Sequence, residues 1–137
     1  MAVIEMVPAD RVCLKLPAAL TALEQGRRAV ERHLSPGLPA PDLEAAKMVV
    51  TELLANSVRH ANLSPDESID LIVHRFDDLV RIEVQDSGPC FDCVREPSEA
   101  GGRGLMIVEK LSRRWGRMKS WKCRVWCELD VSRPSVV

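Results

Sequence analysis

The feature that most constrains the fold of this chain is a helix-forming stretch, residues 42–61, that is apolar on much of its circumference. Its apolar positions fall on several sides of the helix: Ala45, Ala46, Met48, Val49, Val50, Leu53, Leu54 and Val58. A surface helix has one apolar stripe, whereas a helix that is apolar on most sides is buried on most sides. We therefore predict a largely buried helix.

Shorter patterns surround this helix. Polar and apolar residues alternate, with the period of a strand, over residues 11–16 and 69–74, and further strand-like segments cover 79–86, 115–120 and 124–129. Helical spacing is found over 18–34 and 105–111, a Pro- and Gly-containing linker over 35–41, and a long loop over 87–104. This order predicts an α/β two-layer sandwich, in which helices cover one face of a mixed, mostly antiparallel sheet of four to five strands.

The overall composition narrows the class of protein. The 137 residues are 46% hydrophobic and 28% charged, which suits one soluble domain over residues 1–137, with a core over about 12–129 and a flexible tail over 130–137. A net charge of −1 provides no basic field for nucleic acid, and no apolar run approaches the roughly 18 residues of a membrane span. The start of the chain lacks the pattern of a secretory signal, so we expect a cytoplasmic protein.

The cysteines favour a reducing compartment. Five is an odd count in a chain that is neither short nor secreted, so we expect reduced thiols rather than a disulfide framework. Cys90 and Cys93 form a C-x-x-C pair, which leaves a redox-sensitive loop as an alternative to inert thiols. Cys123 and Cys127 would lie about 13 Å apart along a strand, too far to share one zinc ion.

Three polar side chains interrupt the apolar helix at a regular interval. Glu52, Asn56 and His60 stand at i, i+4 and i+8, so they lie on one stripe of the helix. Burying a carboxylate and an amide there is costly unless a partner satisfies them. The stripe is therefore either a solvent-facing surface or a binding site.

Two further segments have residue patterns that are typical of nucleotide-binding sites. Asp86 ends an apolar strand and is followed at once by a turn that contains Gly88. Residues 101–105, Gly-Gly-Arg-Gly-Leu, precede a helix, and backbone amides at a helix N-terminus bind phosphate. The run is not a Walker A loop, since no Gly-Lys-Ser/Thr follows, and Ile107 stands where a dinucleotide fingerprint needs its third glycine.

The three segments together resemble the N, G1 and G2 boxes of the GHKL ATPases. Helical Glu-x-x-x-Asn is followed about 30 residues later by strand-Asp-x-Gly, and then by Gly-x-Gly before a helix. Within that superfamily the chain resembles the stand-alone anti-sigma-factor serine kinases of bacterial partner-switching systems. The resemblance covers residues 12–129 and is most specific over 52–61 and 101–108.

This resemblance implies ATP and Mg²⁺ as cofactors and a role for each motif residue. Glu52 would be the general base, and Asn56 would ligate Mg²⁺. Asp86 would accept a hydrogen bond from the adenine amino group, while Gly88 would let the base approach and residues 87–101 would form a lid. The remaining nucleotide-binding residues would be His60, Gly102, Arg103, Gly104 and Leu105.

The resemblance also implies partners and a reaction. The chain would hold a sigma factor inactive and phosphorylate a serine of an anti-anti-sigma antagonist, without contacting nucleic acid or membrane. The resemblance is compatible with a homodimer. Two departures from the family pattern keep a second hypothesis open, a nucleotide-gated anti-sigma protein without kinase activity. Cys90 replaces a glycine often found after Gly88, and residues 121–123, Trp-Lys-Cys, replace a frequent Gly-Gly-Lys. A sensor histidine kinase is disfavoured, because the chain has no helical hairpin with a phospho-accepting histidine.

A basic run lies near the C-terminus. Residues 110–124 contain seven Lys or Arg and no acid, although the whole chain is slightly acidic. A solvated face is the ordinary interpretation, and a docking patch for an acidic partner is the alternative.

Overall fold

A computed structural model describes residues 11–60, 67–87, 102–119 and 121–131, which form three helices and five strands. The strands are β1 (Arg11–Pro17), β2 (Ser68–Arg75), β3 (Leu79–Asp86), β4 (Arg114–Lys119) and β5 (Cys123–Asp130). The helices are α1 (Thr21–Leu34), α2 (Ala40–His60) and α3 (Gly102–Leu111), with a short 3₁₀ turn (Ser35–Gly37) between α1 and α2.

The strands form one five-stranded sheet in the order β1-β2-β3-β5-β4, and all four neighbouring pairs are antiparallel. The predicted fold class is therefore confirmed. The alternation of apolar and polar residues gives this sheet two unlike faces. One face bears fully buried residues and packs under the helices, among them Leu16, Leu71, Ile82, Cys127 and Leu129.

The opposite face of the sheet carries charged side chains that are paired across the strands. Glu128 of β5 accepts hydrogen bonds from Arg81 (3.1 Å) and Arg114 (2.7 Å). The guanidinium of Arg81 also lies 4.4 Å from the ring centroid of Trp126. Because these groups cover one another, Glu128 is only 6% exposed although none of the three described helices covers this face.

The long apolar helix is the centre of the helical layer, as predicted. On α2, Ala46, Val49, Val50, Leu53 and Leu54 are at most 2% exposed. Helix α1 packs against it, and Gly26 lies close to α2: a Cβ atom there would lie 2.3 Å from Cδ1 of Leu54. Met48 is the exception on α2, since it is 49% exposed.

Two helices begin earlier than their sequence patterns suggest. Helix α2 starts at Ala40 within the predicted linker, because Pro41 fits a first turn, where its missing N–H would have no intrahelical partner. Helix α3 starts at Gly102 rather than Leu105. The predicted loop over 87–104 is therefore too long at its C-terminal end, since glycine opposes helix mainly in the interior and less in the first turn.

The expectation of reduced thiols is wrong at Cys123. Cys123 is disulfide-bonded, whereas Cys127 is a free, buried thiol. The expectation rested on cysteine count and compartment, and neither property constrains the distance between two particular sulfur atoms.

Within the described ranges, no helix combines the length and apolarity that crossing a bilayer requires.

Candidate functional site

The site begins where helix α2 crosses the end of strand β3. Asn56 and Ser57 of α2 and Asp86, the last residue of β3, are all buried, with exposed fractions of 4%, 6% and 6%. The hydroxyl of Ser57 donates a hydrogen bond to Oδ2 of Asp86, across 29 residues of sequence. Packing of the helix on the sheet thus joins two of the three motifs.

The burial of Asp86 needs compensation, because moving a carboxylate out of water is costly unless it is hydrogen-bonded. The hydroxyl of Ser57 supplies part of that compensation. Strand β3 pairs with β2 as far as Gln85 and with β5 as far as Asp86, whose partner in β5 is Cys123. A charged acceptor is therefore fixed at the end of a buried strand.

Asn56 differs from Asp86, because one buried polar atom of its side chain is unsatisfied. Its amide nitrogen Nδ2 is buried and has no hydrogen-bond partner among the described residues. A buried polar group left unsatisfied costs about 1–3 kcal/mol. Such a group fits a site whose ligand supplies the missing partner, and an asparagine also offers a carbonyl oxygen, which suits a hard cation such as Mg²⁺.

The predicted polar stripe is split between the interior and the surface. Glu52, one turn before Asn56, is half-buried, whereas Asn56 is only 4% exposed. A stripe that merely faces solvent is therefore wrong for Asn56. His60 is the last residue of α2, and the position of its side chain lies outside what the structure describes.

The glycine-rich segment lies partly within the described chain. Gly102 begins α3, and Arg103 and Gly104 belong to its first turn, where backbone N–H groups have no intrahelical acceptor. Leu105 follows and is half-buried. Helix α3 packs against α2, so this N-terminus belongs to the same helical layer as Asn56. Gly88 and most of the predicted lid, residues 88–101, lie outside the described residues.

Sequence reasoning missed Ser57. It follows Asn56 directly, at a position that the i, i+4 stripe does not include, so its pattern gives no functional signal. The only available hint is a small polar residue inside an apolar helix, and such residues often bond to their own backbone instead. The contact with Asp86 becomes visible only when the helix and strand are packed together.

The basic run of residues 110–124 is largely neutralised by acids from other parts of the chain. At least four of its seven cations form ion pairs within the described residues: Arg113 with Asp130, Arg114 with Glu128, Lys122 with Asp70 and Arg124 with Glu83. The structure therefore favours an internally paired face over a docking patch for an acidic partner.

The helices over an antiparallel sheet, with a buried acid ending the third strand, define an ATPase domain of the kind found in histidine kinases. The chain belongs to this family: the sequence model of the histidine kinase-like ATPase domain matches residues 16–120. The matched range contains α2, β3 and α3 in full. The predicted superfamily is thus confirmed.

Individual relatives narrow the comparison. The chain is 29% identical over 118 residues to a protein named serine-protein kinase RsbW from Listeria innocua, a match that covers 74% of this chain and 75% of the relative. Proteins of the same name from Staphylococcus epidermidis (29% over 119 residues) and Listeria monocytogenes (27% over 120 residues) match with the same shares. These are serine-protein kinases by name, which agrees with the resemblance found in the motifs.

Proposed function

We propose that this chain is an ATP-dependent protein serine kinase that also acts as an anti-sigma factor, working in the cytoplasm. The observation that supports the proposal is the contact between α2 and the end of β3. There Ser57, the neighbour of Asn56 in the chain, bonds to the buried carboxylate of Asp86. The amide nitrogen of Asn56 is buried and unsatisfied, and the half-buried Glu52 lies one turn earlier on the same helix. Membership of the ATPase family and the names of the relatives support the same conclusion.

In this proposal the two ends of the nucleotide are held by different elements. Asp86 accepts a hydrogen bond from the adenine amino group, and Gly88 leaves room for the base. The N-terminal amides of α3, from Gly102 through Leu105 with Arg103 and Gly104 between them, bind the phosphates. His60, at the end of α2, completes the nucleotide-binding set.

Asn56 would hold Mg²⁺ through its side-chain oxygen. The site fits a hard cation because the ligand atoms would be the amide oxygen of Asn56 and phosphate oxygens. The unsatisfied Nδ2 of Asn56 is a hydrogen-bond donor, so a phosphate oxygen rather than the cation would supply its partner. When bound, Mg²⁺ neutralises charge on the phosphates during transfer. The remaining chemistry belongs to residues of this chain and to the substrate.

Glu52 is the proposed general base. The hydroxyl oxygen of a substrate serine forms a bond to the γ-phosphorus as the bond to the β–γ bridging oxygen breaks. ADP leaves with that electron pair, and the proton of the hydroxyl passes to Glu52. A base that is half-buried but accessible suits this role, because the substrate serine arrives from another protein.

The proposed partners are a sigma factor, which the chain holds inactive, and an anti-anti-sigma antagonist, which carries the phosphorylated serine. A homodimer is compatible with this arrangement.

The second candidate function, a nucleotide-gated binder without phosphate transfer, is favoured by one observation. Lys122, in the region where the family often has Gly-Gly-Lys, is tied to Asp70 of β2 at 3.0 Å.

A transfer assay with two variants separates the two functions. The parent protein, Glu52→Ala and Asn56→Ala are incubated with labelled ATP, Mg²⁺ and candidate antagonist proteins encoded nearby, while ATP affinity is measured by calorimetry. Glu52→Ala should bind ATP but transfer phosphate about 10²–10⁴-fold more slowly, as expected for loss of a positioned base. Asn56→Ala should lose both nucleotide affinity and transfer.

Glu44→Ala is the matched control, because Glu44 is an exposed glutamate two turns earlier on the same helix. It should retain both activities. Full transfer by Glu52→Ala would remove Glu52 as the base. A parent protein that captures a sigma factor and binds ATP, yet phosphorylates no antagonist, would favour the binder.

A further inference from the structure

Ser57 occupies a position in the site that neither the motif pattern nor the proposed roles account for. It follows Asn56 in the chain, is 6% exposed, and its hydroxyl donates to Oδ2 of Asp86. Two consecutive residues of α2 therefore serve different parts of the site. Asn56 offers its amide to a ligand, while Ser57 holds the carboxylate that ends β3.

The geometry of an aspartate gives this contact a consequence. The terminal torsion of an Asp side chain is broad, so its carboxylate can rotate unless a neighbour holds it. A hydroxyl has one proton to donate, and in the structure that proton is directed at Oδ2 of Asp86. The plane of the carboxylate is then fixed relative to α2, and so is the direction from which a ligand's N–H group can be accepted.

We propose that Ser57 is a positioning residue for base recognition: it orients Asp86 to accept a hydrogen bond from the exocyclic amino group of adenine. This proposal rests on the proposed function, since it assumes that the base lies against Asp86. It adds that the choice of adenine depends on a residue that the Glu-x-x-x-Asn pattern does not include. The same helix thereby sets the orientation of the base acceptor and the position of Asn56.

A purely structural role for Ser57 makes a different prediction. If the hydroxyl only compensated the burial of Asp86, its loss would weaken the fold or the binding of every nucleotide to a similar degree. If it positions Asp86, the loss should fall on nucleotides that carry the 6-amino group. Purine riboside triphosphate, which lacks that group but keeps the ring and the phosphates, distinguishes the two roles.

The experiment compares ATP and purine riboside triphosphate binding to the full chain by calorimetry with Mg²⁺ present. Ser57→Ala should weaken ATP binding about tenfold, in line with the loss of one hydrogen bond to a charged group, and should change the binding of the purine analogue less than about twofold. Ser57→Thr, which keeps the hydroxyl, should restore the preference for ATP. Ser35→Ala, at an exposed serine between α1 and α2, is the matched control.

The outcomes are distinct. Equal weakening of both nucleotides, or no weakening of either, overturns the positioning role while leaving ATP binding by the parent intact. A parent protein that binds neither nucleotide overturns the proposed function as well. Ser57→Cys, which is nearly isosteric and a much weaker donor, gives the same comparison if Ser57→Ala does not fold, as judged by thermal melting.

Discussion

Replacement of Gly26 by alanine tests the packing that holds α2, and with it the site, in place. Gly26 lies in the middle of α1, where it is buried against α2. At an exposed helical position Gly→Ala is favourable by about 1 kcal/mol, because glycine loses more backbone entropy on folding. Here the sign should reverse, since the added Cβ would meet Leu54 Cδ1 at 2.3 Å.

The magnitude follows from the surroundings of Leu54. Carbon atoms in contact lie about 3.5–4.0 Å apart, so Leu54 must move by more than 1 Å to admit the new methyl group. Leu54 is fully buried, and Val50 and Leu71 already lie 3.6 Å from the new Cβ position. Overpacking of this kind costs about 1–3 kcal/mol, which leaves a net destabilisation of about 0–2 kcal/mol after the helical gain.

Urea unfolding followed by circular dichroism measures this change. Gly26→Ala should lower the midpoint with an unchanged slope, and its Tm should fall by about 2–4 °C for each kcal/mol lost. In a Leu54→Ala background, itself destabilised by about 2–5 kcal/mol, the same change should become stabilising because the obstructing atom is gone. A Gly26→Ala protein that is more stable than the parent would refute the close α1–α2 contact.

Three further outcomes follow from the structure. Asp86→Asn should weaken ATP binding about ten- to a hundredfold, as a charge-assisted hydrogen bond is worth about 1.5–3 kcal/mol, and unchanged affinity by calorimetry would remove Asp86 from the site. Hydrogen bonding and attraction from Arg114 lower the pKa of Glu128. Its stabilisation is therefore present above the unfolded pKa of about 4.3 and is lost as the pH falls through the lower folded value. Glu128→Gln should accordingly be less stable than the parent at pH 7, with a gap that narrows below about pH 4 in urea titrations. A gap independent of pH would exclude the ionised pair as its cause. Burial raises the pKa of Cys127 to about 12, so iodoacetamide at pH 8 should label it only after unfolding, and native-state labelling seen by mass spectrometry would contradict its burial.

The local pattern of apolar and polar residues was sufficient to predict the helical layer and the sheet of this fold. The apolar circumference of α2 required a covered helix, and the period of two in β2, β3 and β5 required a sheet with one buried face. These properties repeat every few residues, so they can be read without knowing which elements meet. The sequence determined the first residues of the helices less well. Glycine and proline disfavour a helix in its interior but are accepted in its first turn, as at Gly102 and Pro41.

The sequence by itself determined the layered α/β fold, the family, and the order of Glu52, Asn56, Asp86 and the glycine run, because each depends on spacing along one element or on the order of elements. Only the tertiary structure decided that Ser57 bonds to Asp86, that Asn56 is buried with its amide unsatisfied, and that the basic run is paired with acids of other strands. The physical reason is that such contacts depend on the angle and register at which two elements pack. Residues 29 apart, such as Ser57 and Asp86, meet only when the helix settles on the sheet.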